Sequence, residues 1–154
     1  MVQRMMHALK YQGREDIARY LGDMLGEELR RVKRFGNADL VVPVPLHVRK
    51  LRSRGYNQAS EFGRHLSKSM GIPFLEDALE RIRPGTTQTR KSRVERNRYL
   101  EGSFCVSDTN LLINKHVLLV DDIITSGATL EVCARKILEI QGTRVSLASI
   151  AFTL

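Results

Sequence analysis

Two adjacent carboxylates, Asp121 and Asp122, follow the apolar run Val117-Leu118-Leu119-Val120 and precede Ile123-Ile124-Thr125-Ser126-Gly127-Ala128-Thr129-Leu130. The order is strand, acid pair, hydroxyl-rich turn, start of a helix. Each part has a chemical use. A turn that opens a helix presents unpaired backbone N–H groups, which suit a phosphate. Thr125, Ser126 and Thr129 add hydroxyl donors, and Gly127 permits a positive φ and close approach of the backbone. Two carboxylates in front of that cup would repel the phosphate. They make sense as acceptors for sugar hydroxyls, or as holders of a magnesium ion, directly or through water. A phosphate at one end with a vicinal diol close by describes a ribose 5-phosphate.

Plainer readings compete with this one. Thr125 or Ser126 alone is more simply a helix cap, and the aspartates alone a solvated pair. A Walker A loop would need GxxxxGK[ST], and no lysine follows Gly127. The complete segment, with all its parts in order at the carboxyl end of a strand, favours the ligand site.

Charge points the same way. The 154 residues carry 25 Lys and Arg against 17 Asp and Glu, a net +8. Residues 47–54 hold Arg49, Lys50, Arg52 and Arg54 with no acid. Residues 81–98 hold Arg81, Arg83, Arg90, Lys91, Arg93, Arg96 and Arg98 against Glu95 alone. These two stretches together carry +10, so the rest of the chain is −2. Either stretch alone would pass for a solvated face. Both beside a phosphate cup suggest an anionic partner: phosphate, pyrophosphate or nucleic acid.

Composition bounds the class. Apolar residues make up 42% and charged residues 27%, a globular composition and not a disordered or fibrous one. No apolar run approaches the roughly 18 residues of a membrane helix. Cys105 and Cys133 are the only cysteines, too few for a disulfide framework or a four-cysteine zinc site. His7, His47, His65 and His116 are scattered without ligand spacing. No signal-peptide core follows Met1, and a cytoplasmic protein is expected.

The elements that would position the site can be read from periodicity. Helices are expected over residues 3–11, over 14–34 with Ile17, Leu21, Met24, Leu25, Leu29 and Val32 on one face, and over Asn57 to Met70. Leu40 to Val44 reads as a buried strand that closes in Pro43-Val44-Pro45. A short strand is expected within 73–80, another over Ser103 to Val106, and the last over Val145 to Phe152. Leu130, Cys133, Ala134, Ile137 and Leu138 form one helix face. Residues 81–98, with Pro84-Gly85, read as a long flexible loop. Strands alternating with helices predict a mostly parallel sheet covered on both faces.

The segment Val117 to Leu130 resembles the phosphoribosyl-pyrophosphate (PRPP) signature of type I phosphoribosyltransferases. Over nearly its whole length the chain resembles the ComF family. The matching blocks are His7-Ala8-Leu9-Lys10-Tyr11, Val42 to His47, Arg52-Ser53-Arg54-Gly55-Tyr56-Asn57-Gln58-Ala59, and Gln88-Thr89 through Glu95-Arg96-Asn97, besides the signature itself. The resemblance implies the type I phosphoribosyltransferase fold in a single domain over 1–154. Residues 1–36 would be an N-terminal helical segment and the candidate base-recognising hood.

It also implies roles for particular residues. Asp121 and Asp122 would accept from the ribose 2- and 3-hydroxyls and be the catalytic candidates. Thr125, Ser126, Gly127, Ala128 and Thr129 would hold the 5-phosphate. Val44, Pro45, Leu46 and His47 would form the pyrophosphate loop, assisted by Arg54, Arg49 and Arg52. Lys91, Arg93 and Arg96 would reach pyrophosphate from the closing loop. His47 is the acid/base candidate, although a loop-packing histidine is the stronger reading. The reaction would be displacement of pyrophosphate at ribose C1 by a nitrogen nucleophile. Magnesium would ride on the diphosphate, with Asp121 and Asp122 as its protein contacts if it has any.

Members of this family usually begin with a cysteine-rich zinc ribbon. No such segment is present here, so a short or truncated member without zinc is expected. The alternative to an enzyme of nucleotide metabolism is a non-catalytic binding protein in DNA uptake or recombination. Single-stranded DNA or recombination proteins would then be its partners, and a homodimer is open. Aromatic residues are only 6%, with no Trp, so stacking platforms for single strands are scarce.

Overall fold

The computed structural model describes residues 15–84 and 99–153. Helix α1 (Glu15–Arg31) opens with Glu15 and Asp16 and closes with Arg30 and Arg31, so its end charges complement the helix dipole. Its buried stripe is Ala18, Gly22 and Gly26. A Cβ on Gly22 would lie 2.6 Å from the Phe62 carbonyl oxygen, and one on Gly26 2.7 Å from that of Leu66. Ile17, Leu21, Leu25 and Leu29 flank the stripe and pack on the core. Met24 and Val32, expected on the same face, are 49% and 46% exposed. Extended backbone at Val32 separates α1 from the four-residue helix α2 (Lys33–Gly36).

Strand β1 (Leu40–Pro43) is buried throughout. It leads through residues 44–47 to helix α3 (Val48–Arg54), which ends at Gly55 with φ 84°. Helix α4 (Gln58–Met70) follows, capped by Asn57 and stopped by Gly71 at φ 72°. Strands β2 (Leu79–Arg81) and β3 (Phe104–Val106) pair antiparallel as a separate ribbon, with residues 82–103 between them in sequence; Arg81, expected to open the 81–98 loop, instead pairs with Phe104 as the last residue of β2. The helix expected over 3–11 lies outside the described residues. A 3-10 turn (Thr109–Leu111) precedes β4 (His116–Ile124). Helix α5 (Ala128–Leu138) and strand β5 (Arg144–Phe152) complete the fold.

The main sheet is parallel, in the order β1-β4-β5. An isolated parallel bridge, Val41 to Phe74, adds one rung outside β1. Period-2 alternation divides the strands between two cores. Leu40, Val42, Val117 and Leu119 face Leu130, Cys133 and Ile137 of α5. Val41, Leu118 and Val120 face Phe62, Leu66 and Met70 of α4, with Ala18 of α1 behind them. Complete burial of each such Val or Leu contributes about 1.5–3 kcal/mol. Leu138, expected in the first core, is 53% exposed at the end of α5.

Helices α4 and α5 therefore cover opposite faces, and the change of face falls between adjacent strands β1 and β4. In an open α/β sheet a ligand crevice forms at such a point, outside the carboxyl ends of the strands. Helix α1 serves as cover for the core. Among the described residues no helix is long and apolar enough to cross a membrane.

Candidate functional site

The crevice is built by a difference in strand length. Strand β1 pairs with β4 only as far as Pro43 opposite Val120, and the amide of Val44 then donates to the Val120 carbonyl at 2.8 Å. Strand β4 continues to Ile124, held on its other side by β5. Asp121 and Asp122 thus stand on the part of β4 that β1 has left. Both are half-buried. An oxygen of each accepts from the next backbone amide, Asp122 N to Asp121 Oδ1 and Ile123 N to Asp122 Oδ1, both at 2.8 Å. These contacts fix the carboxylates against their own strand.

Beyond β4 the chain turns around a small cup, open to solvent, lined by Asp121 and by Ile123 to Leu130. Gly127 occupies the N-cap position of α5 at φ 74°. That conformation strains any side chain with a Cβ, which accounts for glycine here. Gly127 offers no side chain to the helix end, and the nearest substitute is a long 3.5 Å contact from Ala128 N to Ser126 Oγ. The first turn of α5 therefore opens toward the cup with its N–H groups available to an anion.

The second loop, Val44 to His47, leaves the end of β1 beside this cup. Val44 and His47 are buried, and Pro45 and Leu46 half-buried. His47 is the N-cap of α3: its Nδ1 accepts from Arg49 N at 3.2 Å, and its carbonyl accepts from Lys50 and Leu51. Acceptance at Nδ1 places the ring proton on Nε2, so the acceptor nitrogen is already engaged. Arg54 donates from Nη1 to Gln58 Oε1 at 3.1 Å, while Arg49 and Arg52 lie exposed on α3. Lys91, Arg93 and Arg96 lie outside the described residues.

Sequence reasoning missed one contact and one groove beside the candidate site. Asn57 donates from Nδ2 to the Val44 carbonyl at 3.1 Å, from thirteen residues away. Its place in the Arg-Gly-Tyr-Asn-Gln block was the only signal. The groove lies against Pro45 and Leu46 and is bordered by Asn57, Ser60, Glu76, Asp77 and Arg81. Arg81 stacks over the Phe104 ring at 5.1 Å, and burial lowers the pKa of its guanidinium. Among the described residues no group of three or more His, Cys, Asp or Glu could hold a metal ion. Two adjacent carboxylates fit a hydrated magnesium brought in by a ligand better than a resident ion.

Residues 57–153 match the family described as the phosphoribosyl transferase domain. Competence protein F of Haemophilus influenzae is 35% identical over 131 residues, covering 82% of this chain and 57% of that protein. Competence protein ComFC of Bacillus subtilis is 30% identical over 156 residues, covering 86% and 60%. The chain belongs to the ComF family of phosphoribosyltransferase-fold proteins. It spans about three fifths of the length of these ComF relatives. The DNA utilization protein YhgH of Escherichia coli K12 is similar too, 31% identical over 137 residues, with 87% of this chain and 60% of that protein covered.

Solved structures agree on the fold. The glutamine PRPP amidotransferase from B. subtilis, complexed with ADP and GMP, superposes with a TM-score of 0.61 at 20% identity, over 94% of this chain and 30% of the other. Adenine phosphoribosyltransferase from Saccharomyces cerevisiae gives 0.57 at 16%, over 90% and 69%. This ComF chain has the type I phosphoribosyltransferase fold, a parallel sheet flanked by helices.

Proposed function

We propose that this protein binds PRPP, or another ligand containing ribose 5-phosphate, and transfers the phosphoribosyl group to a nitrogen acceptor with release of pyrophosphate. The observation that carries the reading is the meeting of two loops at the carboxyl ends of adjacent parallel strands, one an anion cup preceded by two carboxylates. Thr125 to Thr129 would hold the 5-phosphate, Asp121 and Asp122 the ribose hydroxyls. Val44 to His47 would face the pyrophosphate. The acceptor nitrogen attacks C1 as the C1–O bond to pyrophosphate breaks. Magnesium, when bound with the diphosphate, supplies charge neutralisation for the leaving group. The chain's own part is to orient C1 between the two loops, and Lys91, Arg93 and Arg96 of the 81–98 segment are the proposed closing cations.

The names of the similar proteins favour a second reading. Competence and DNA utilization point to a binding protein that keeps the ligand site and acts through recombination proteins or single-stranded DNA, in the cytoplasm, as a monomer or homodimer. Calorimetric titration with PRPP, with and without magnesium, tests the site common to both. Saturable, magnesium-sensitive binding is expected, and no binding to the folded protein would overturn both readings of the site. Pyrophosphate release in an acceptor screen then separates the enzyme from the binding protein.

A further inference from the structure

We propose that Asn57 is the positioning residue of the pyrophosphate loop, a role that rests on the ligand reading given above. Its side-chain amide is used at both ends. Oδ1 accepts from Ala59 N at 3.2 Å and so caps α4, while Nδ2 donates to the Val44 carbonyl at 3.1 Å. The same Val44 residue donates its own amide to Val120, next to Asp121. Val44 is thus held from two directions, by the strand that carries the acid pair and by the first turn of α4.

The carbonyl that Asn57 holds belongs to the peptide bond entering Pro45. Proline fixes its own φ and contributes no donor. Once the plane of the Val44–Pro45 peptide is set, the course of the chain into Leu46 and His47 is largely set with it. Among the described residues the N–H groups of Leu46 and His47 have no backbone partner, so they are the donors this loop can offer an anion. Asn57 aims them without touching the ligand. The turn that delivers Asn57 is braced as well: Gly55 reverses the chain at φ 84°, and Arg54 spans the turn to the buried Gln58.

The two halves of the ligand should therefore respond differently to loss of the Nδ2 donor. Serine at this position keeps a strong helix cap but does not reach the Val44 carbonyl. Aspartate keeps the cap and sets a carboxylate oxygen against that carbonyl. The experiment is calorimetric titration of the wild-type chain, Asn57→Ser and Asn57→Asp with ribose 5-phosphate and, separately, with magnesium pyrophosphate. Thermal melting of each variant runs alongside. The expected result is ribose 5-phosphate affinity within about twofold of wild type in both variants, with pyrophosphate affinity lower by about tenfold, the equivalent of one hydrogen bond.

Pyrophosphate affinity retained within about twofold in either folded variant would overturn the role of Asn57 and leave the site standing. Equal loss of both ligands would also overturn it, because Asn57 would then support the fold and not the loop. A wild-type chain that binds neither ligand would instead remove the ligand reading, and this inference with it.

Discussion

The Val44 amide and the Val120 carbonyl meet at 2.8 Å, the last tie between β1 and β4 before the two strands part. One partner opens the Val44 to His47 loop and the other precedes Asp121. This backbone hydrogen bond ties the roots of the two loops together, and it uses the Val44 amide, not the carbonyl that Asn57 holds.

The paired substitution Asp121→Asn and Asp122→Asn should lower PRPP affinity by at least about 100-fold, since charged acceptors of ligand hydroxyls are lost. The fold should survive, because an amide oxygen can still accept from Asp122 N and Ile123 N. Calorimetry and a thermal melt check the two halves of this expectation. Undiminished affinity would defeat the assignment of the acid pair.

Gly63 lies on the α4 face that meets the sheet. A Cβ there would stand 2.7 Å from Val120 Cγ2 and 3.0 Å from Phe74 Cε2. Gly63→Ala should cost about 1–3 kcal/mol, as overpacking does. A urea titration would show it as a lower midpoint with an unchanged slope.

His116 opens β4, at the opposite end of the strand from the acid pair. The buried ring lies with Nε2 2.9 Å from Ser146 Oγ and Nδ1 3.1 Å from Asn37 Oδ1. His116→Phe leaves those groups without their partner and should cost about 1–3 kcal/mol. PRPP affinity should not change, because five residues of strand, about 16 Å, separate the substitution from Asp121. A parallel loss of affinity would place the ligand elsewhere.

Burial pushes the Cys133 thiol from its ordinary 9.0 up to about 12, with the charge of Asp121 adding to the effect. Cys133 should resist a thiol reagent until the chain is denatured, while the half-buried Cys105 reacts in the native state. The pH dependence follows from the direction of the shift. A thiol whose folded-state value is raised keeps its full contribution below about pH 9 and loses it as pH climbs toward 12. Cys133→Ala should flatten the decline in stability measured across that interval.

The local geometry of the β4–α5 turn was more legible in the sequence than the packing of the helices. Val117 to Leu130 declared strand, acid pair and turn because each is local and each has a residue type that few other situations require. Helix α4 declared itself through Asn57 and Gly71 at its ends. The seat of α1 did not, because the contact is made by side chains that are missing: Gly22 and Gly26 give no hydropathy signal, whereas Met24 and Val32 give one and stay exposed. Helix α3 was read only as a basic stretch, since its sequence has no apolar period and its start depends on the His47 cap. The tie from Asn57 to Val44 joins residues thirteen apart, and no periodicity reports such a contact.

Strand β4 outruns β1 by the four residues Asp121 to Ile124. That overhang works as a cantilever, clamped along one flank by β5, while among the described residues no strand pairs with it on the other. On the ligand reading proposed above, recognition would depend on a mismatch of lengths as much as on side chains. An insertion that let β1 run two residues further would seal the flank and silence the site, with every one of its residues still in place.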